Sequence, residues 1–146
     1  MTARNKLYWM IVMVGLIVSL FMPDAWAESL VELDKQDNGT VSYYDRDSVR
    51  EVPTNMRLWV KTIFGKVDKN RAINDLKREN KCRNCEKLSY SKSLYEINCD
   101  ESMIRIKTVT YHDRAGNILY TDSASTDWLD IIPDTVLGGL KRSVCK

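Results

Sequence analysis

Three consecutive stretches in the C-terminal half decide the fold: SKSLYEINC (residues 91–99), SMIRIKTVTYH (residues 102–112) and NILYTDS (residues 117–123). In the second, Ile104, Ile106, Thr108 and Thr110 alternate with Met103, Arg105, Lys107 and Val109, the period-two pattern of a strand with one face turned inward. Arg114, Ala115, Gly116 and Asn117 supply a turn into the third stretch. Three successive antiparallel strands, a meander, are the expected centre of the molecule.

The chain to the N-terminal side extends the sheet. Residues 56–64, MRLWVKTIF, place Leu58, Val60, Thr62 and Phe64 on one face and Trp59 and Ile63 on the other, which predicts a strand buried on both sides. The polar stretch before it, YYDRDSVREVPTN, contains Pro53 and reads as a loop. Residues 30–44, LVELDKQDNGTVSYY, set Asn38 and Gly39 between two apolar segments, a strong hairpin signal. Asn38-Gly39-Thr40 is also a glycosylation sequon, but the turn reading carries more weight. Residues 67–79 are strongly charged, with Ala72, Ile73 and Leu76 spaced for a short helix or a mobile excursion, and read as an exposed connection that adds little to the core.

Beyond the meander the chain passes Trp128 and Pro133 into DTVLGGLKRSVC, where Val136, Leu137, Leu140 and Val144 share one face at helical spacing. Gly138 and Gly139 weaken that helix intrinsically, so it needs the sheet to hold it. The expected fold class is α+β: a small antiparallel sheet of about five to six strands, a C-terminal helix packed on it, and disulfide staples.

The first 27 of the 146 residues have the three parts of a secretory signal: Arg4 and Lys6, an apolar run over residues 7–22, and the small-residue pattern Ala25-Trp26-Ala27. The apolar run is shorter than the roughly 20 residues a spanning helix needs. Residues 1–27 are therefore expected to be cleaved, leaving residues 28–146 as one exported domain with no stable membrane insertion. Removing Arg4, Lys6 and Asp24 takes the formal net charge from +2 to +1. Such near-balance argues against nucleic acid or an anionic membrane as the main partner.

All four cysteines, Cys82, Cys85, Cys99 and Cys145, fall in the exported part. The CxxC in KCRNCEK (residues 81–87) invites three chemical readings. Haem attachment needs a histidine at position 86, which is Glu86. A thioredoxin-like centre needs a βαβ setting, and this pair precedes an antiparallel meander. A zinc site needs four ligands in close pairs, but Cys99 and Cys145 are distant and His112 is the single histidine. Two disulfides in an oxidising compartment are the expected outcome, and four cysteines allow three connectivities. No metal or other cofactor is expected.

His112, beside the 113–117 turn, reads as an exposed, solvated side chain, and Asp45, Asp47, Asp100 and Glu101 read as loop carboxylates. No spacing matches a calcium loop, a phosphate loop or a nucleophile elbow, so nothing supports an enzyme.

Tyr43-Tyr44-Asp45, Ser48-Val49, Leu58-Trp59-Val60, the run from Lys92 through Tyr95-Glu96-Ile97-Asn98 to Cys99, then Trp128, Pro133 and Val144-Cys145, together resemble the surface-adhesin protein E-like family of Gram-negative bacteria. The resemblance covers nearly all of the expected mature chain. It implies a sheet with a packed C-terminal helix and a Cys99–Cys145 disulfide, which leaves Cys82 to pair with Cys85. The family's namesake is a surface lipoprotein that binds host proteins, whereas this chain shows no lipid-anchor cysteine near the expected cleavage site. The resemblance implies an exported, non-enzymatic protein, periplasmic, secreted or at the cell surface. Its partners would be other proteins of the envelope or the host, met through the charged segment 67–87. The alternative is a periplasmic thiol-disulfide or metal-handling protein using Cys82 and Cys85.

Overall fold

Three long strands carry the sheet in the computed structural model, which describes residues 29–145; the expected leader and its cleavage site lie outside them. Strands β4 (Asn55–Ile63), β5 (Leu88–Asn98) and β6 (Met103–Asp113) pair antiparallel in that order. Two short strands laid end to end complete each outer edge of this trio. Along β4 run β2 (Val41–Asp45) and β3 (Arg50–Val52); along β6 run β7 (Ile118–Asp122) and β8 (Leu129–Asp130). At the margin β1 (Leu30–Lys35) pairs with β2. The continuous path is β1-β2-β4-β5-β6-β7, with β3 and β8 beside it. The stretch read as a loop thus contains β3, too short to show a period of its own.

The β1–β2 connection spans residues 36–40 rather than a two-residue turn, with the Gln36 amide donating to the Thr40 carbonyl. Gly39 takes φ +84° there, a left-handed conformation that glycine adopts without a side-chain penalty. The Asn38 carboxamide oxygen accepts from the Thr40 amide at 2.9 Å, so the sequon asparagine is built into the turn.

Among the described residues, helices α1 (Lys66–Arg78) and α2 (Val136–Val144) lie on the same face of the sheet. Leu140 and Val144 of α2 pack over Tyr44, Leu58, Val60, Ile97 and Ile104. The Leu137-Gly138-Gly139 stretch is a contact as well as a weak point. A Cβ on Gly138 would sit 2.0 Å from the Pro133 carbonyl oxygen, so glycine lets α2 close against the segment that precedes it. Thr135 caps the helix, its hydroxyl accepting from the Gly138 amide at 3.2 Å.

Helix α1 corrects the reading of residues 67–79 as an exposed connection. Leu76 is buried, and with Ala72 and Ile73 it forms a second apolar cluster with Phe64, Cys85 and Leu88. Three apolar residues suffice because α1 covers only one end of the sheet.

Two further expectations change. Leu58 and Val60 are buried, but Ile63 on the opposite face is 42% exposed, so β4 is covered on one side. The alternation in β6 also slips. Tyr95 faces Ile106 while Leu94 faces Thr108, so Lys107 is an inserted residue, a β-bulge. Beyond it Tyr111, rather than Thr108 and Thr110, points to the helix-covered face.

Candidate binding cleft and cysteine sites

The chain joins Cys82 to Cys85, and Cys99 to Cys145, each pair with Cα atoms 5.7 Å apart. Cys99 follows the last residue of β5 and Cys145 follows α2, so the second bridge fixes the helix to a central strand beside the main core. Cys85 is fully buried in the second cluster and begins a short 3-10 turn. The CxxC thus follows the C-terminal end of α1, whereas a helix N-terminus is what lowers a thiol pKa. Among the described residues, no group of three or more His, Cys, Asp or Glu side chains is arranged to hold a metal ion.

His112 is buried rather than solvated. It lies on β6 beneath the turn, where Nε2 pairs with the Thr110 hydroxyl at 2.8 Å and Nδ1 with the Gly116 carbonyl at 3.2 Å. Its ring stacks on Tyr90 at 4.8 Å between centroids. A histidine fixed at both nitrogens is a packing element of the uncovered sheet face.

The same face buries Glu96, the acidic residue of YEINC. Register places Arg57 and Arg105 directly across from it on the neighbouring strands. Arg57 Nε and Arg105 each donate to the carboxylate at 3.3 Å, and Asn55 Nδ2 donates at 2.7 Å. Burial pushes the carboxyl pKa up, but the hydrogen bonds from Asn55 and Arg105 and the two positive charges outweigh it and hold the group below the ordinary value. Trp128 closes the cluster, with the Arg105 guanidinium 4.4 Å from its ring centroid. These contacts give a physical role to residues that carried the sequence resemblance.

The helix-covered face holds the cleft. A cavity of about 470 Å³ opens beside α1, walled by Asp68, Arg71 and Asp75 of the helix and by Glu79 just after it. Its floor comes from Ser42, Thr62, Phe64, Tyr111 and Tyr120 on four strands and the residue after β4. Strand register explains this floor. Asp34, Ser42, Thr62, Ser91, Tyr111 and Tyr120 face one another in sequence across the whole sheet, one rung of polar side chains. The Ser42 and Thr62 hydroxyls bond at 3.1 Å, and the two tyrosine rings stack at 6.3 Å. The hydroxyl part of this seam, Ser42, Thr62 and Ser91, lies where an apolar face would be expected, between the main core and the second cluster, against which Tyr111 and Tyr120 pack.

Local sequence fixes the cleft walls. Gly65 precedes α1 because a Cβ there would lie 2.1 Å from the Asn38 carbonyl oxygen. One turn on, the Asp68 carboxylate accepts from the Thr40 hydroxyl at 2.6 Å and from Asn38 Nδ2 at 2.9 Å, tying α1 to the β1–β2 turn. Those two bonds, with Arg71 nearby, lower the Asp68 pKa against the opposing effect of burial. At the other end Lys81 Nζ donates to Glu79 at 2.5 Å and lies 3.5 Å from Asp122. It also sits 5.4 Å from the Tyr120 ring centroid, and its pKa is raised, chiefly by the Glu79 hydrogen bond. Burial raises the pKa of Tyr111, with the Asp122 charge adding to it.

Sequence reading placed interest on residues 67–87 but missed the floor. Hydroxyl residues at inward positions of three adjacent strands were the available signal, visible only once the register is known.

A one-sided antiparallel sheet with its C-terminal helix bridged to a central strand defines a disulfide-stapled α+β class. The chain belongs to the surface-adhesin protein E family, whose model matches residues 30–146. Among solved structures it is similar to protein E from non-typeable Haemophilus influenzae, at 13% identity and a TM-score of 0.56 over 84% of this chain and 79% of that one. A second Haemophilus influenzae protein E structure matches at 14% identity and a TM-score of 0.55, over 84% and 88%. These superpositions show a shared fold. No curated protein matches the chain. Among the described residues no helix is long and apolar enough to cross a membrane.

Proposed function

We propose that this chain is an exported, non-catalytic binding domain that engages a protein partner through α1 and the cleft beside it. One observation carries the reading: α1 is fixed at its start by Asp68 on the β1–β2 turn and buried through Leu76, while Lys66, Asn70, Asn74 and Lys77 stay exposed. A rigid helix presenting a polar stripe loses little conformational entropy on association. Family membership supports export and a protein partner, since the family is one of surface adhesins.

The test is direct capture, with residues 28–146 as immobilised bait against separate envelope and host extracellular-matrix fractions. Asn74→Arg combined with Lys77→Glu alters the exposed stripe without touching the cluster beneath. Loss of most of the captured protein, with an unchanged melting temperature, is expected. Capture unaffected by the double variant overturns the reading.

A further inference from the structure

The polar seam beneath α1 has a cost that packing does not explain. A hydroxyl at an inward strand position forfeits apolar burial, and one left without a partner costs more. Here the inward rung sets Ser42, Thr62 and Ser91 on three neighbouring strands between two apolar clusters, and continues as Tyr111 and Tyr120, which pack against the second cluster. Ser42, Thr62 and both tyrosines open into the 470 Å³ cavity, a size within the roughly 300–1,000 Å³ of small-molecule sites.

Resting on the reading of α1 and its cleft as the contact surface, we infer that this cleft takes a neutral saccharide unit, free or carried by the partner. Three features select that chemistry. Hydroxyl side chains can donate and accept, which matches the hydroxyls of a sugar ring. The paired rings of Tyr111 and Tyr120 line the cavity and give it an aromatic wall against which the C–H groups of a pyranose can pack. Charge settles the class. Asp68, Asp75, Glu79 and Asp122 outnumber Arg71 and Lys81 around the cavity, so phosphorylated, sulfated or sialylated ligands meet net repulsion. The carboxylates are held by their own partners, Thr40 and Asn38 on Asp68, Arg78 on Asp75 and Lys81 on Glu79 and Asp122. Asp68 is thereby held against the β1–β2 turn, and the carboxylates at the rim can accept hydrogen bonds from sugar hydroxyls.

The experiment is an NMR titration of residues 28–146 with N,N′-diacetylchitobiose, with sialyllactose as the anionic comparison. Saturable shifts at Thr62, Tyr111 and Tyr120 are expected, weaker or absent with the sialylated sugar. Tyr120→Ala removes the stacking surface and should weaken binding by about tenfold. Thr62→Val made together with Ser42→Ala removes both members of the Ser42–Thr62 hydroxyl pair, so no partner is orphaned, and it should retain the melting temperature while weakening the sugar. No saturable shift at the cleft with the neutral probe, or affinity unchanged in both variants, overturns the inference. Failure here is distinguishable from failure of the contact reading. If the sugar does not bind yet Asn74→Arg with Lys77→Glu still abolishes capture, the saccharide assignment falls alone. If the sugar binds and that double variant captures normally, the protein-contact reading falls instead.

Discussion

Glu96 shows how much one residue can hold. Its carboxylate neutralises Arg57 and Arg105 on adjacent strands, which would otherwise face each other across it as like charges. Replacing it with alanine should cost about 1–3 kcal/mol, since it removes the shared partner of two arginines that are themselves partly solvated. Urea unfolding at neutral pH measures that loss. Acid should act the same way. The folded pKa lies below the unfolded one, so the stabilisation is complete above the ordinary carboxylate range and fades as pH falls through the folded value. The midpoint of wild type should drop on acidification by more than that of Glu96→Gln, which has no such charge to lose. Gly138 makes a comparable point through space rather than charge. Gly138→Ala would usually strengthen a helix, but here the methyl group meets the Pro133 carbonyl, so thermal denaturation should show a destabilised protein, by about 1–3 kcal/mol.

At the scale of the element, α1 is an anchored wall. Leu76→Ala should destabilise by about 2–4 kcal/mol, because the residue is 5% exposed and packs on Cys85 and Leu88. Circular dichroism should show lost helix content under mild denaturant before the sheet signal falls. The strands were legible in the sequence where a period-two pattern ran long enough, as in β4 and the first half of β6. Helix α2 was legible from the spacing of Val136, Leu137, Leu140 and Val144. What escaped has physical causes. The insertion at Lys107 leaves each side of the pattern intact and only shifts its phase, so Tyr111 was assigned to no face. Helix α1 was ambiguous because a helix that covers one end of a sheet needs few apolar residues, and charge dominated its composition. His112 was misjudged because closeness to a turn in sequence does not show that β6 runs on beneath it. The candidate cleft was the least legible part, since its floor gathers residues 42 to 120 and exists only through register.

Across the whole molecule, the Cys99–Cys145 bridge closes a sequence separation of 46 residues that includes β6, β7, β8 and α2. Constraining a loop of that length in the unfolded chain corresponds to about 4 kcal/mol in the chain-entropy model. Replacing both cysteines with serine should lower the urea midpoint accordingly while the Cys82–Cys85 bridge persists, as checked by peptide mapping without reductant. The seam of hydroxyls bears on something other than recognition. Two clusters that share few apolar contacts need not open together, and subglobal opening follows such divisions. Amide hydrogen exchange should therefore fall into two tiers, with α1 and its 3-10 turn opening at a lower free energy than the strands and helix bound by the long bridge. Uniform protection across both halves would show instead that they unfold as one. In the two-tier case this fold has a slow half held by the long bridge and a faster half whose openings are rare excursions from a cleft that keeps its shape between them.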